Sequence, residues 1–138
     1  MSSQPEQLRD RTKAFALRVI RLYRSLPYKT DTQVLGKQLL RCGTSVAANY
    51  RAVCRARSKA EFVAKLGVVV EEADEAVLWL ELMTESGIVR LDKTEALLKE
   101  ANELTAIFAA SQAQRSMQRK FKSHNRPIAQ SLNFYEVL

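Results

Sequence analysis

The chain has 138 residues, 46% of them apolar, which suits one domain with an undivided core and leaves too little for two of ordinary size. With only four glycines and three prolines it is neither collagen-like nor disordered, and long helices are favoured over a turn-rich β architecture. The net charge of +7 is unevenly placed: residues 1–57 carry +9, residues 58–92 carry −5, and residues 93–138 return to +3. Such asymmetry suits a basic face for a polyanion, chiefly nucleic acid, or basic and acidic helices matched to each other in an assembly.

Four segments show helical periodicity. In the first, Leu8, Thr12, Phe15, Val19, Leu22 and Leu26 recur at spacings of three and four and form one stripe that ends at Pro27. The second opens with Thr30-Asp-Thr-Gln33, which has the form of a capping box, and its stripe is Leu35, Leu39, Cys42, Val46, Asn49 and Val53. The third begins with a second box, Ser58-Lys-Ala-Glu61, and turns Phe62, Leu66, Val69, Ala73, Ala76, Leu80 and Met83 inward before a C-terminal cap at Gly87. The fourth opens at Asp92, with Thr94, Leu97, Ala101, Leu104 and Phe108 as its seam. Short connections between amphipathic helices make neighbours antiparallel, so the expected fold is an all-α, up-down-up-down four-helix bundle over residues 1–118. Residues 119–138 are expected to be a basic, flexible tail.

The outward faces carry the functional signals. On the second helix Lys37, Arg41, Thr44, Ala48, Arg51 and Arg55 form a line about 27 Å long at roughly 1.5 Å per residue, with no acid in it. Lys13, Arg21 and Arg24 point away from the first helix's stripe, and Arg57 adds to the basic junction before the third helix. These eight bases are the candidate phosphate contacts. The third helix is apolar almost all round: Ala60, Ala64, Gly67, Leu78, Trp79 and Leu82 need a second partner, and with Leu17 and Ile20 they mark a homo-oligomer interface. Glu71, Glu72, Asp74 and Glu75 crowd four acids together and need neutralising, with Arg51, Arg55 and Arg57 as candidate partners across helices. A carboxylate metal site of the di-iron kind would need paired histidines, and His124 is the sole histidine, so no metal and no cofactor are expected.

Cys42 and Cys54, about 18 Å apart along one helix at roughly 1.5 Å per residue, cannot bridge each other. They suit a reducing compartment. No apolar run approaches the roughly 18–20 residues of a membrane span and no signal layout opens the chain, so a cytoplasmic protein without membrane contact is expected.

Several of these stretches resemble a known family. Leu26-Pro27, the run Gln38-Leu-Leu-Arg41, Thr44-Ser-Val-Ala-Ala-Asn49, Ser58-Lys-Ala-Glu-Phe62, and Glu71-Glu-Ala-Asp-Glu75 with Trp79-Leu80 resemble bacterial four-helix bundle proteins encoded in intervening sequences of large-subunit rRNA genes. A more distant likeness is to the accessory variability-determinant proteins of diversity-generating retroelements. The resemblance covers residues 10–110 and implies a bundle assembling into a ring-like pentamer without enzymatic activity. It also implies nucleic acid, and for the retroelement members a reverse transcriptase, as partners. Where the commoner pattern has Glu-Gly, this chain has Ala52-Val53.

The leading expectation is therefore a non-enzymatic oligomeric scaffold that engages RNA or DNA without sequence specificity. One alternative is a HEPN-type ribonuclease, for which Arg119 and His124 have a suitable spacing for general acid-base chemistry. Another is a protein-binding adaptor anchored by Asn133-Phe-Tyr-Glu-Val-Leu138.

Overall fold

A computed structural model describes residues 2–124; the tail segment Asn133–Leu138 lies outside the described residues. Four helices follow one another: α1 (Gln4–Ser25), α2 (Thr30–Cys54), α3 (Lys59–Glu85) and α4 (Leu91–His124). Three side-chain pairings give their direction. Tyr23 and Leu26 sit over Gly36 while the earlier Val19 sits over the later Gly43, so α1 and α2 run opposite ways. Thr84 hydrogen-bonds Thr94 at 2.8 Å while Gln112 reaches back to Gly67, so α3 and α4 do too. Arg11 meets Glu100, closing the circuit from α1 to α4, the slimmest of the four main seams of the bundle. The fold is the antiparallel four-helix bundle that the periodicity requires.

The core contains nearly every residue of the four stripes. Phe15, Val19, Leu39, Val46, Val69, Leu80, Ala101 and Leu104 are fully enclosed, and Leu8, Leu35 and Phe62 lie at its edge. The exception is on α2. Asn49, expected inside, is only partly buried, and its amide donates to the Ser45 carbonyl at 2.9 Å. Its neighbour Tyr50 takes the buried place and tilts against Phe108, ring centres 5.1 Å apart. An aromatic ring has far more to gain from burial than a primary amide does.

The helix ends correct two expectations. The Thr30–Gln33 capping box does not form: Lys29 is the N-cap without a side-chain bond, and Gln33 donates instead to the Pro27 carbonyl while accepting from the Tyr23 hydroxyl. Gln33 thus braces the α1–α2 turn. Ser58 does cap α3, its Oγ accepting from the Glu61 N–H at 3.0 Å, but the Glu61 carboxylate takes the Arg57 N–H, so only half of that box closes. The complete box is at α1, between Ser3 and Glu6. Gly87 follows the α3 C-cap at φ +80°, a conformation other residues adopt only with strain.

Gly43 permits the close approach of α1 and α2. A methyl added there would lie 2.9 Å from both Val19 methyl carbons, and Val19 is fully buried in a β-branched rotamer with nowhere to move. At Gly67 the same methyl would meet only the tip of Gln112, which is free to swing. Gly43→Ala is therefore expected to lose about 1 kcal/mol net, overpacking outweighing the gain in helix propensity. Gly67→Ala is expected to be neutral or to gain up to about 1 kcal/mol. Urea midpoints of the two variants check the contrast.

Candidate nucleic-acid interface

The bases of the sequence separate into groups once the helices pack. Arg41 is withdrawn from the outward line. Its guanidinium donates to Glu75 at 2.6 Å and to Glu72 at 3.2 Å across the α2–α3 seam, and to Gln38 of its own helix at 3.2 Å, so each nitrogen is engaged. It is thus Arg41, not the expected Arg51, Arg55 or Arg57, that pairs with Glu72 and Glu75 of the α3 acids. In an antiparallel hairpin, residues equally distant from the turn face each other. Arg51, Arg55 and Arg57 are too near the α2–α3 turn to reach residues 71–75.

Freed of that task, Arg51 and Arg55 border two adjoining crevices. On the α1 side, Arg9 and Lys13 join them, together with Asp10 and Cys54. On the α3 side they are joined by Arg57 and Lys65, with Ala48 and Ala52 between and Glu61 at the rim. Glu61 is held by Lys65 at 3.2 Å. The first and second helices' basic faces therefore do merge, but only at the end of the bundle where α1 begins and α2 finishes. Arg9 and Lys65 were not evident from sequence because each belongs to a different segment; counting outward from the turns would have found them.

The same end gathers further cations from α4. Arg115 lies over the Phe62 ring, 5.3 Å from its centre, and ties α4 to the start of α3. Beyond it, Lys122 stands against Lys59, and the close approach of the two amino groups, which repel each other when both are charged, holds Lys59 below the ordinary lysine range. Such crowding of like charge eases when an anion arrives.

Other candidates lie elsewhere. Lys37 is exposed but about 21 Å up α2 from Arg51 at roughly 1.5 Å per residue. Arg21 borders a shallow crevice with Arg18 and Lys93 between α1 and α4. Lys13, Leu17, Arg21 and Arg24 share α1's outward stripe, all exposed. Of the assembly candidates, Leu17, Ala60, Ala64, Leu78 and Leu82 are exposed, whereas Ile20, Gly67 and Trp79 are partly covered by their own chain. Val68 extends the exposed apolar line of α3. Arg119 is exposed near the end of α4, and His124 is that helix's last residue.

The chemistry available is that of charge. Cys42 is buried, and loss of water raises its thiol to about 12. Burial also raises the Tyr50 hydroxyl, as does neighbouring Cys54. Among the described residues no group of three or more His, Cys, Asp or Glu is arranged to hold a metal ion, and no helix is long and apolar enough to cross a membrane.

One ion pair outside this surface gives a pH signature. Arg11 clasps Glu100 with contacts of 2.9 and 2.7 Å and reaches Glu103 at 2.7 Å. Its hydrogen bonds hold Glu100 below the ordinary carboxylate value of 4.5, against the opposing effect of burial. Because the folded value is the lower one, the pair's stabilisation is complete above 4.5 and fades as pH falls through the folded value. Thermal midpoints of the native chain and Glu100→Gln should differ at neutral pH and converge as the pH falls below the folded value of Glu100.

A protein of unknown function from Bacteroides thetaiotaomicron VPI-5482, assigned to the S23 ribosomal protein family and solved at 1.70 Å, has a similar structure. Its TM-score is 0.70 at 32% identity, over 75% of this chain and 95% of that one. No match was found among curated proteins. The family model for the 23S rRNA-intervening sequence protein matches residues 7–110, which span all four helices and the Arg51–Arg57 surface. Four antiparallel helices with this sequence pattern thus place the chain in the 23S rRNA-intervening sequence protein family.

Proposed function

We propose that this chain is a non-enzymatic, self-assembling scaffold that binds nucleic-acid phosphates through the end of the bundle where α1, α2 and α3 converge. The observation that carries this is the meeting of Arg9, Lys13, Arg51, Arg55 and Arg57 around two crevices with only Asp10 and Glu61 among them. Cations drawn together from several elements, and not spent on acids as Arg41 is, suit a backbone of repeating negative charge. An rRNA-related family name agrees with such a partner. Affinity for RNA or DNA should fall steeply with salt and depend little on sequence. Fluorescence anisotropy at low and high salt tests this, and no binding to either nucleic acid at low salt would remove it.

Assembly is supported by complementary outward faces on diagonal helices. α1 presents Leu17, Arg21 and Arg24, while α3 presents Leu78 and Leu82 among Glu71, Glu81 and Glu85. Two different faces join copies head to tail, an arrangement that forms a ring when the rotation from copy to copy closes and a filament when it does not. On this reading Arg21 and Arg24 serve the contact between copies, not phosphate, and the ring-like pentamer implied by the resemblance is the expected form. Light scattering should find a particle several times 15.6 kDa; a lone chain would refute assembly.

A further inference from the structure

We infer that the nucleic acid taken by this surface is a double helix, straddled by α2 so that its two sugar-phosphate strands lie in the two crevices. This rests on the phosphate reading above and adds the shape of the partner to it. α2 packs against α1 on one side and α3 on the other, which makes it a corner of the bundle with its outward line standing proud. Along that line in its second half come Thr44, Ala48, Arg51 and Arg55. Ala48 is exposed and Ala52 lies beside it, so the ridge is low at that turn, while Arg51 and Arg55 rise from it beside both crevices. The Thr44 hydroxyl is turned back onto the carbonyls of Leu40 and Arg41, at 2.8 and 3.1 Å, and does not project.

Cations flank this ridge on both sides: Arg9 and Lys13 from α1, Arg57 and Lys65 from the α2–α3 turn and α3. A helix with its side chains is about 10–12 Å across. That is the width of the B-form major groove, about 12 Å, and the wide, shallow minor groove of A-form RNA also admits a low ridge. Two lines of positive charge separated by one helix therefore match two lines of phosphate separated by one groove. A single strand offers one such line, and proteins that favour it stack its bases on aromatic side chains. Among the described residues none of the side chains lining either crevice is aromatic.

The test uses the full chain, RNA and DNA duplexes of about 20 base pairs, and their separated strands, followed by anisotropy at about 0.1 M salt. Both straddling and its alternative are read from one further variant, Ala48→Trp, which raises the ridge while leaving every cation in place. Duplexes should bind at least about tenfold tighter than single strands, and Ala48→Trp should weaken duplex binding about tenfold without weakening that of single strands. Unchanged helicity by circular dichroism shows that the variant is folded. Equal affinity for single strands, or duplex binding indifferent to Ala48→Trp, overturns straddling and leaves phosphate contact standing. No binding to any of the four probes overturns both. The RNA and DNA arms tell which groove receives the ridge.

Discussion

Phe108→Ala is expected to destabilise the protein by about 3–5 kcal/mol, a large part of the roughly 5–15 kcal/mol that holds a domain of this size together. Phe108 is 1% exposed and tilts against Tyr50 near the end of the bundle, where residues of α1, α2, α3 and α4 converge. Truncation removes the ring's burial and the aromatic pairing, worth about 0.5–1.5 kcal/mol beyond area, and leaves a cavity. Collapse into that space is opposed because Tyr50 belongs to α2, whose position is fixed by Gly43 against Val19 and by Arg41 against Glu72 and Glu75. Phe108→Leu keeps most of the volume and should lose about 1.5 kcal/mol or less. Urea unfolding at one protein concentration measures both, since assembly and folding are linked. A loss under about 1 kcal/mol for the alanine variant would contradict an enclosed ring.

Removing Arg51 and Arg55 together is expected to weaken nucleic-acid binding roughly 60-fold near 0.1 M salt, because each duplex phosphate that is no longer neutralised shifts the log-log salt slope by about 0.9. The slope should become shallower by about 1.8, a signature that loss of fold does not mimic. These two side chains border both crevices, so their removal affects either strand of a bound partner. Stability should change little, since both are exposed and neither belongs to the core. Arg41→Ala provides the contrast. It should leave the salt slope unaltered and lower the melting temperature by leaving Glu72 and Glu75 facing each other unpaired. Titration at several salt concentrations, with thermal melts alongside, separates the two sets.

The fold was readable because four stripes at helical spacing admit few arrangements when the turns are short. Thr94 and Thr12 fell into place as core positions despite their hydroxyls, each of which finds a partner within its own turn. What escaped was settled by competition between neighbours in the packed state. Asn49 and Tyr50 both lie near the inward side of α2, and only the volume facing Phe108 decides which enters. Thr30 and Gln33 have the capping pattern, yet the Pro27 carbonyl and Tyr23 hydroxyl, brought close by the turn, claim the glutamine. The candidate surface was half legible. Arg51 and Arg55 stood out by their spacing and Arg57 by its place in the basic junction, whereas Arg9, Lys59, Lys65 and Lys122 join them only through the antiparallel register.

Trp79 is the sole tryptophan, and its indole N–H, though shielded from solvent, has no acceptor among the described residues. It sits beside Leu78 on the helix whose outer side is proposed to meet another copy. Its intrinsic emission is therefore a built-in gauge of self-association: a colour change on dilution would track subunits coming apart, with no label attached.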